Sequence, residues 1–144
     1  WIADACTKIQ GQFTSAPCSI AQAAAATAVD ADPSIAHSMV AAFLRRRNAM
    51  HASLSKVPGI NLNLPMGAFY LFPDVSELFG KSFNGKSLEN ADDVSMFLIE
   101  EAHVATVSGA AFGTPECIRI SYAAADEVLE EAVRRIENAV SKLV

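Results

Sequence analysis

The sequence lacks most of what would tie it to a membrane, a disulfide framework, a metal or nucleic acid. No apolar run approaches the ~20 residues needed to cross a bilayer. The opening Trp1-Ile2-Ala3-Asp4 has neither the basic flank nor the apolar stretch of a secretory signal. With no initiator Met, the chain reads as a fragment or processed product. Cysteine is scarce. Cys6, Cys18 and Cys117 form an odd set without CxxC spacing, so neither disulfides nor a zinc site are expected. Reduced thiols in a cytoplasmic protein are the expectation. His37, His51 and His103 lie far apart without ligand spacing, so no metal is expected. A net charge of -5 argues against nucleic acid as a partner. The one basic run, Arg45-Arg46-Arg47, falls inside a helical pattern and reads as a solvated face.

Evident reactive groups are missing too. There is no Gly-rich phosphate loop and no Gly-x-Ser-x-Gly elbow. The three cysteines sit in apolar or helical settings and read as small core hydrophobes rather than nucleophiles. None of Lys8, Lys56, Lys81, Lys86 and Lys142 lies in a stretch that would desolvate an amine. No residue is therefore expected to be catalytic.

What is present is a chain of 144 residues, 51% hydrophobic and 19% charged, enough for one domain with a real core. Helical spacing covers residues 1–9, and residues 11–17 read as a polar loop. An Ala-rich helix over about 18–29 follows, whose small side chains suit a deep or interface position. Asp32-Pro33 reads as an N-cap with proline at the first helical position. A long amphipathic helix then runs to about residue 57, with Ile35, Met39, Val40, Phe43, Leu44, Met50, Leu54 and Val57 on one stripe. Strands are expected at 60–64, 68–72 and 103–107, and an exposed loop at 79–87. Asn90 can cap a helix that buries Val94, Phe97, Leu98 and Ala102. The last helix, from about Asp126, places Val128, Leu129, Ala132, Val133, Ile136, Ala139, Val140 and Leu143 on its apolar side. This order indicates a two-layer α+β fold, a small, mostly antiparallel sheet with helices packed on it.

The most informative stretch is residues 118–122, Ile118-Arg119-Ile120-Ser121-Tyr122, which alternates as a half-buried strand should. Arg119 cannot shed its charge, so on an apolar strand it must reach water or meet an anion. Its planar fork matches a carboxylate through two parallel hydrogen bonds. Two readings stand: a grip on a ligand carboxylate, or a structural role spanning a sheet edge or pairing with an internal acid.

Several strings in order resemble a known family. They are Gly67-Ala68-Phe69-Tyr70-Leu71-Phe72-Pro73-Asp74, Gly109-Ala110-Ala111-Phe112-Gly113, Ile118-Arg119-Ile120-Ser121-Tyr122-Ala123, and Leu129-Glu130-Glu131-Ala132 with Arg135-Ile136. Upstream stand Lys8-Ile9-Gln10-Gly11-Gln12, Thr14-Ser15-Ala16-Pro17 and Ser19-Ile20-Ala21-Gln22. Together they resemble the fold-type I, class I pyridoxal-phosphate aminotransferases, and the bacterial aspartate aminotransferase branch in particular.

The resemblance covers nearly the whole chain and implies the C-terminal portion of such an enzyme. Residues 1–32 would close the large cofactor-binding domain, and residues 33–144 would form the small domain. The intact protein would be a cytoplasmic homodimer using pyridoxal 5'-phosphate to move an amino group between L-aspartate and 2-oxoglutarate. Its partners would be amino-acid and 2-oxo-acid substrates, with no nucleic acid and no membrane. Arg119 would bind the substrate α-carboxylate. Phe69 would lie near the substrate, or else be ordinary strand core. Ser15 would fall in the loop reaching the cofactor phosphate of the neighbouring subunit, or cap the following helix. The Schiff-base lysine would lie upstream of Trp1, so this chain alone should neither hold cofactor nor transaminate. Two departures from the pattern stand out. Ser108 replaces a usual proline, and Ala125 replaces a frequent capping serine, with Asp126 the nearest residue able to substitute; a lost cap costs about 1 kcal/mol. Other readings of the residues are an aminotransferase for aromatic amino acids, alanine or a biosynthetic keto acid, and a non-catalytic carboxylate-binding α+β module.

Overall fold

The computed structural model describes residues 1–14 and 16–144, which fall into two units, Trp1–His37 and Ser38–Val144. The first holds α1 (Ile2–Phe13) and α2 (Ser19–Asp30). α1 runs four residues past the expected end, through Gly11, and stops where the Thr14 N–H and hydroxyl both donate to the Gln10 carbonyl, at 2.9 and 2.7 Å. An isolated glycine lowers helix stability without forbidding the helix. No side chain of α1 or α2 is buried within this chain. Asp32 caps a 3-10 turn, Pro33–Ala36, accepting from the Ser34 N–H at 2.8 Å, as its Asp-Pro sequence indicates.

α3 (His37–Leu54) carries the chain into the second unit. Only the C-terminal half of its expected stripe is covered. Met50, Leu54 and the following Val57 are buried, whereas Met39, Val40 and Leu44 stay exposed because no element of this unit covers them. The expected strand at 60–64 reduces to one bridge, Asn61 to Asp74. The expected strand at 68–72 shortens to β1 (Tyr70–Leu71). Ala68 before it has φ +58, outside the extended range, and Pro73 after it has no N–H to continue the ladder.

The segment read as an exposed loop at 79–87 is a hairpin, β2 (Ser82–Phe83) and β3 (Lys86–Ser87). Its turn is Asn84-Gly85, at φ +50 and +79, the pair that a two-residue hairpin with both φ positive favours. Asn90 caps α4 (Ala91–Phe97), accepting from the Asp93 N–H at 3.0 Å while Asp93 accepts from the Glu89 N–H at 2.9 Å. The four apolar residues expected to be buried are buried. The helix widens into a π-turn at Leu98–Ala102, and His103 leaves it at φ +54. That left-handed residue is why the expected strand at 103–107 survives only as β4 (Val107–Ser108).

β5 (Ile118–Ser121) is the middle strand of an antiparallel sheet ordered β1-β5-β4. Tyr70 pairs with Ser121, Leu71 with Ile120, Val107 with Arg119 and Ser108 with Ile118. Alternation does what the sequence indicates. Ile118, Ile120 and Tyr122 enter the core, and Arg119 and Ser121 face away from it. α5 (Asp126–Val140) buries Leu129, Val133, Ile136, Ala139 and Val140, but Val128 is exposed. No side chain caps α5. Asp126 does not replace the missing serine, because its carboxylate is taken by Arg46 and Arg45, each within 2.7 Å. Arg45-Arg46-Arg47 is accordingly not a free solvated face. Two of its members tie α3 to the start of α5, and Arg47 donates to the Pro65 carbonyl at 3.0 Å. The architecture is α+β, small antiparallel sheets with helices packed on them.

Candidate functional site

Arg119 sits at the centre of the outward face of the sheet. Its guanidinium carbon is 4.5 Å from the ring centroid of Tyr70 on one side and 4.5 Å from that of Phe112 on the other. Tyr70 is delivered by β1, beside β5 in the sheet. Phe112 ends a 3-10 turn, Gly109–Phe112, that directly follows β4. Two aromatic faces attract a guanidinium through their quadrupoles and leave its N–H edge free. Phe72 meets Phe112 edge-on at 6.1 Å, closing the row on that side.

Among the described residues no carboxylate lies within ion-pair distance of Arg119, and its guanidinium makes no hydrogen bond. By contrast, Arg45, Arg46, Arg134 and Arg135 all have acidic partners within 2.7 Å. The internal pairing open to Arg119 on sequence grounds is not formed. What remains is a half-buried, permanently cationic fork, set beside aromatic rings and without a partner among the described residues. Such a fork can take a carboxylate with two parallel, charge-assisted hydrogen bonds.

The turn carrying Phe112 depends on Gly109. A Cβ there would meet the Cys117 carbonyl oxygen at 2.6 Å and the Thr114 carbonyl oxygen closer still. The Gly109 N–H donates to Cys117 at 2.7 Å, so backbone meets backbone directly. Ser108, in the place of the usual proline, accepts from the Ala110 N–H at 3.4 Å and starts the turn.

Phe69 lies one ring further from Arg119. Its ring packs 4.4 Å from Tyr70 and 6.0 Å from Phe43, and it is 40% exposed. It borders a hollow lined by Phe43, Leu44, Arg47 and Tyr122. Ser15 lies outside the described residues. Tyr70 and Phe112 are the partners that sequence reasoning missed. Both stand in the strings quoted above, but only register and the Gly109 turn bring them together.

Tyr122, directly after β5, is buried, and its hydroxyl donates to the Ala68 carbonyl at 2.9 Å. Burial pushes this phenol above its usual pKa, partly offset by the Arg47 charge. Cys117, the one buried cysteine, is likewise raised by burial and by Asp74 and Glu116; Cys6 and Cys18 are exposed, contrary to the reading of all three as core hydrophobes. No lysine is buried, and Lys142 pairs with Glu101 at 3.4 Å. None of these lysines is a desolvated amine. Among the described residues no cluster could hold a metal, and no helix is long and apolar enough to cross a membrane.

The chain belongs to the class I and II aminotransferases: the family model described as "Aminotransferase class I and II" matches residues 1–136. It is 42% identical over 140 residues to a bifunctional aspartate aminotransferase and glutamate/aspartate-prephenate aminotransferase of Petunia hybrida, covering 94% of this chain and 29% of that protein. It is 45% identical over 130 residues to an aspartate/prephenate aminotransferase of Cereibacter sphaeroides, covering 90% of this chain and 32% of that one. Its structure is similar to the crystal structure of the aspartate aminotransferase from Rhizobium meliloti, with a TM-score of 0.84 and 37% identity over 94% of this chain and 34% of that chain. The chain thus spans about a third of the length of the relatives it matches.

Proposed function

We propose that this chain is the C-terminal portion of a pyridoxal-phosphate-dependent aspartate aminotransferase, and that Arg119 grips the α-carboxylate of the substrate. The observation that carries the reading is the Arg119 fork, held between Tyr70 and Phe112 and without a partner among the described residues. The intact enzyme would move an amino group between L-aspartate and 2-oxoglutarate, as a cytoplasmic homodimer. Residues 33–144 would form the small domain and residues 1–32 the end of the large one; the two units, which meet at residues 37 and 38, support a division near there.

Bound pyridoxal phosphate would supply the electron sink that amino transfer needs. This chain's own part is positioning. A two-point hold on the carboxylate fixes the amino acid and stops it turning about its Cα. Phe69, one ring behind Tyr70, would flank the substrate. Ser15 would reach the cofactor phosphate of the neighbouring subunit. Lacking an amine suited to the cofactor, the chain by itself would neither retain it nor transaminate.

Arg119→Ala in the intact enzyme tests the reading. It should lower kcat/KM for aspartate by about 2–5 kcal/mol, as for truncating a partner of a hydrogen-bonded charge pair. Cofactor absorbance should survive, and unchanged kinetics would remove the role. The Petunia hybrida and Cereibacter sphaeroides relatives are named for prephenate as well as aspartate, which supports a second reading in which the intact enzyme also accepts prephenate. A direct assay with that keto acid decides it.

A further inference from the structure

Two side chains that do not reach the Arg119 fork converge on the loop in front of Tyr70. Arg47 Nη1 donates to the Pro65 carbonyl at 3.0 Å, and the Tyr122 hydroxyl donates to the Ala68 carbonyl at 2.9 Å. The Tyr122 N–H adds a third tie, to the Phe69 carbonyl at 2.9 Å. Between these ties Ala68 has φ +58. A residue with a Cβ enters this region only at a cost, and stays there when its surroundings over-determine it. Here the surroundings can be named. The Tyr122 ring is 2% exposed and stacked edge-on against Phe43 at 6.1 Å, so its hydroxyl has a fixed position. Among the described residues the Ala68 carbonyl is its one hydrogen-bond acceptor.

The geometry then leads to the site. Ala68 stands two residues before Tyr70, whose ring carries one face of Arg119. Tyr122 stands on the same run of chain as Arg119, but on the core side of the sheet. We infer that Tyr122 is a positioning residue: its hydroxyl holds Ala68 in the left-handed conformation, which sets Tyr70, and through Tyr70 sets the angle at which Arg119 presents its fork. Without that hydroxyl, Ala68 relaxes toward negative φ, the entry to β1 shifts, and the guanidinium loses its seat. The inference rests on the carboxylate reading of Arg119.

The test uses the intact enzyme with its cofactor and five forms: wild type, Tyr122→Phe, Ala68→Gly, the double variant and Arg119→Ala. Two quantities are read. One is the split between KM and kcat for aspartate. The other is the calorimetric Kd for succinate, a dicarboxylate with no amino group to transfer. Tyr122→Phe should raise both KM and the succinate Kd by about threefold to tenfold, the range for one lost hydrogen bond, with little change in kcat. Ala68→Gly alone should leave both within about twofold, since glycine adopts positive φ without a steric cost. In the double variant, glycine should restore both constants toward wild type. A general loss of packing would not be rescued in that way. If Tyr122→Phe leaves both constants unchanged while Arg119→Ala impairs them, the positioning role is overturned and the carboxylate grip stands. Failure of Ala68→Gly to rescue an impaired Tyr122→Phe also overturns it. If Arg119→Ala itself changes nothing, the carboxylate reading falls and takes this inference with it.

Discussion

Phe112 covers one face of the Arg119 guanidinium, its ring centroid 4.5 Å from the central carbon, although it sits on a different element from Arg119. The contact is half of what keeps a cationic side chain upright at a sheet surface without an acidic neighbour.

Removing that half should be visible in substrate use rather than in folding. Phe112 is 47% exposed, so Phe112→Ala leaves little cavity. Loss of one cation–π face is worth about 0.5–2 kcal/mol. In the intact enzyme kcat/KM for aspartate should fall by that amount, with the melting temperature nearly unchanged, and Phe112→Trp should retain most of the activity. An unaltered kcat/KM for Phe112→Ala would show that Tyr70 alone suffices.

Gly109→Ala should act through the fold. The added methyl meets two backbone carbonyl oxygens, those of Thr114 and Cys117, and neither is the end of a flexible side chain. Overpacking of this kind costs about 1–3 kcal/mol, sometimes more. Denaturant unfolding should show that loss. Because the same turn carries Phe112, aspartate use should suffer even where the variant remains folded.

Asp126 gives a pH signature. Hydrogen bonds from Arg46 and Arg45 hold its carboxyl below the ordinary value of 3.8. A depressed native pKa means that the unfolded chain takes up the proton first. The stabilisation is therefore complete above about pH 4 and disappears as pH falls through the lower native value. Asp126→Asn should be less stable than wild type at pH 7, and the gap between the two denaturation midpoints should close in strong acid. Glu131, held down by Arg134 and Arg135 on the same helix, is present in both proteins and cancels in the difference. A gap that stays constant from pH 7 to pH 2 would place the effect elsewhere.

The parts of the structure readable from sequence are those with a strong local period or cap. α4 and most of α5 follow their apolar spacing, with Val128 on the outside as the exception. β5 follows its alternation, which put Arg119 on the open face. The hairpin at Asn84-Gly85 carried its own signal, but together with Gly80 those same residues read equally as a loop. The basic run on α3 could not be resolved locally, since Arg46 finds its partner Asp126 80 residues further on. The site was half legible. Arg119 could be singled out by charge and setting, whereas its seat depends on a register and a backbone turn that join three separated segments.

The alternation along residues 118–122 also constrains how this region can change in length. Side chains on a strand switch faces at every step. Deleting one residue inside Ile118–Ser121 would break the alternation, so that a polar side chain turns toward the apolar core or an isoleucine turns to the open face. The hairpin tip at Asn84-Gly85 carries no such penalty. Natural insertions and deletions in this unit should therefore gather at residues 84–85 and be absent from residues 118–122.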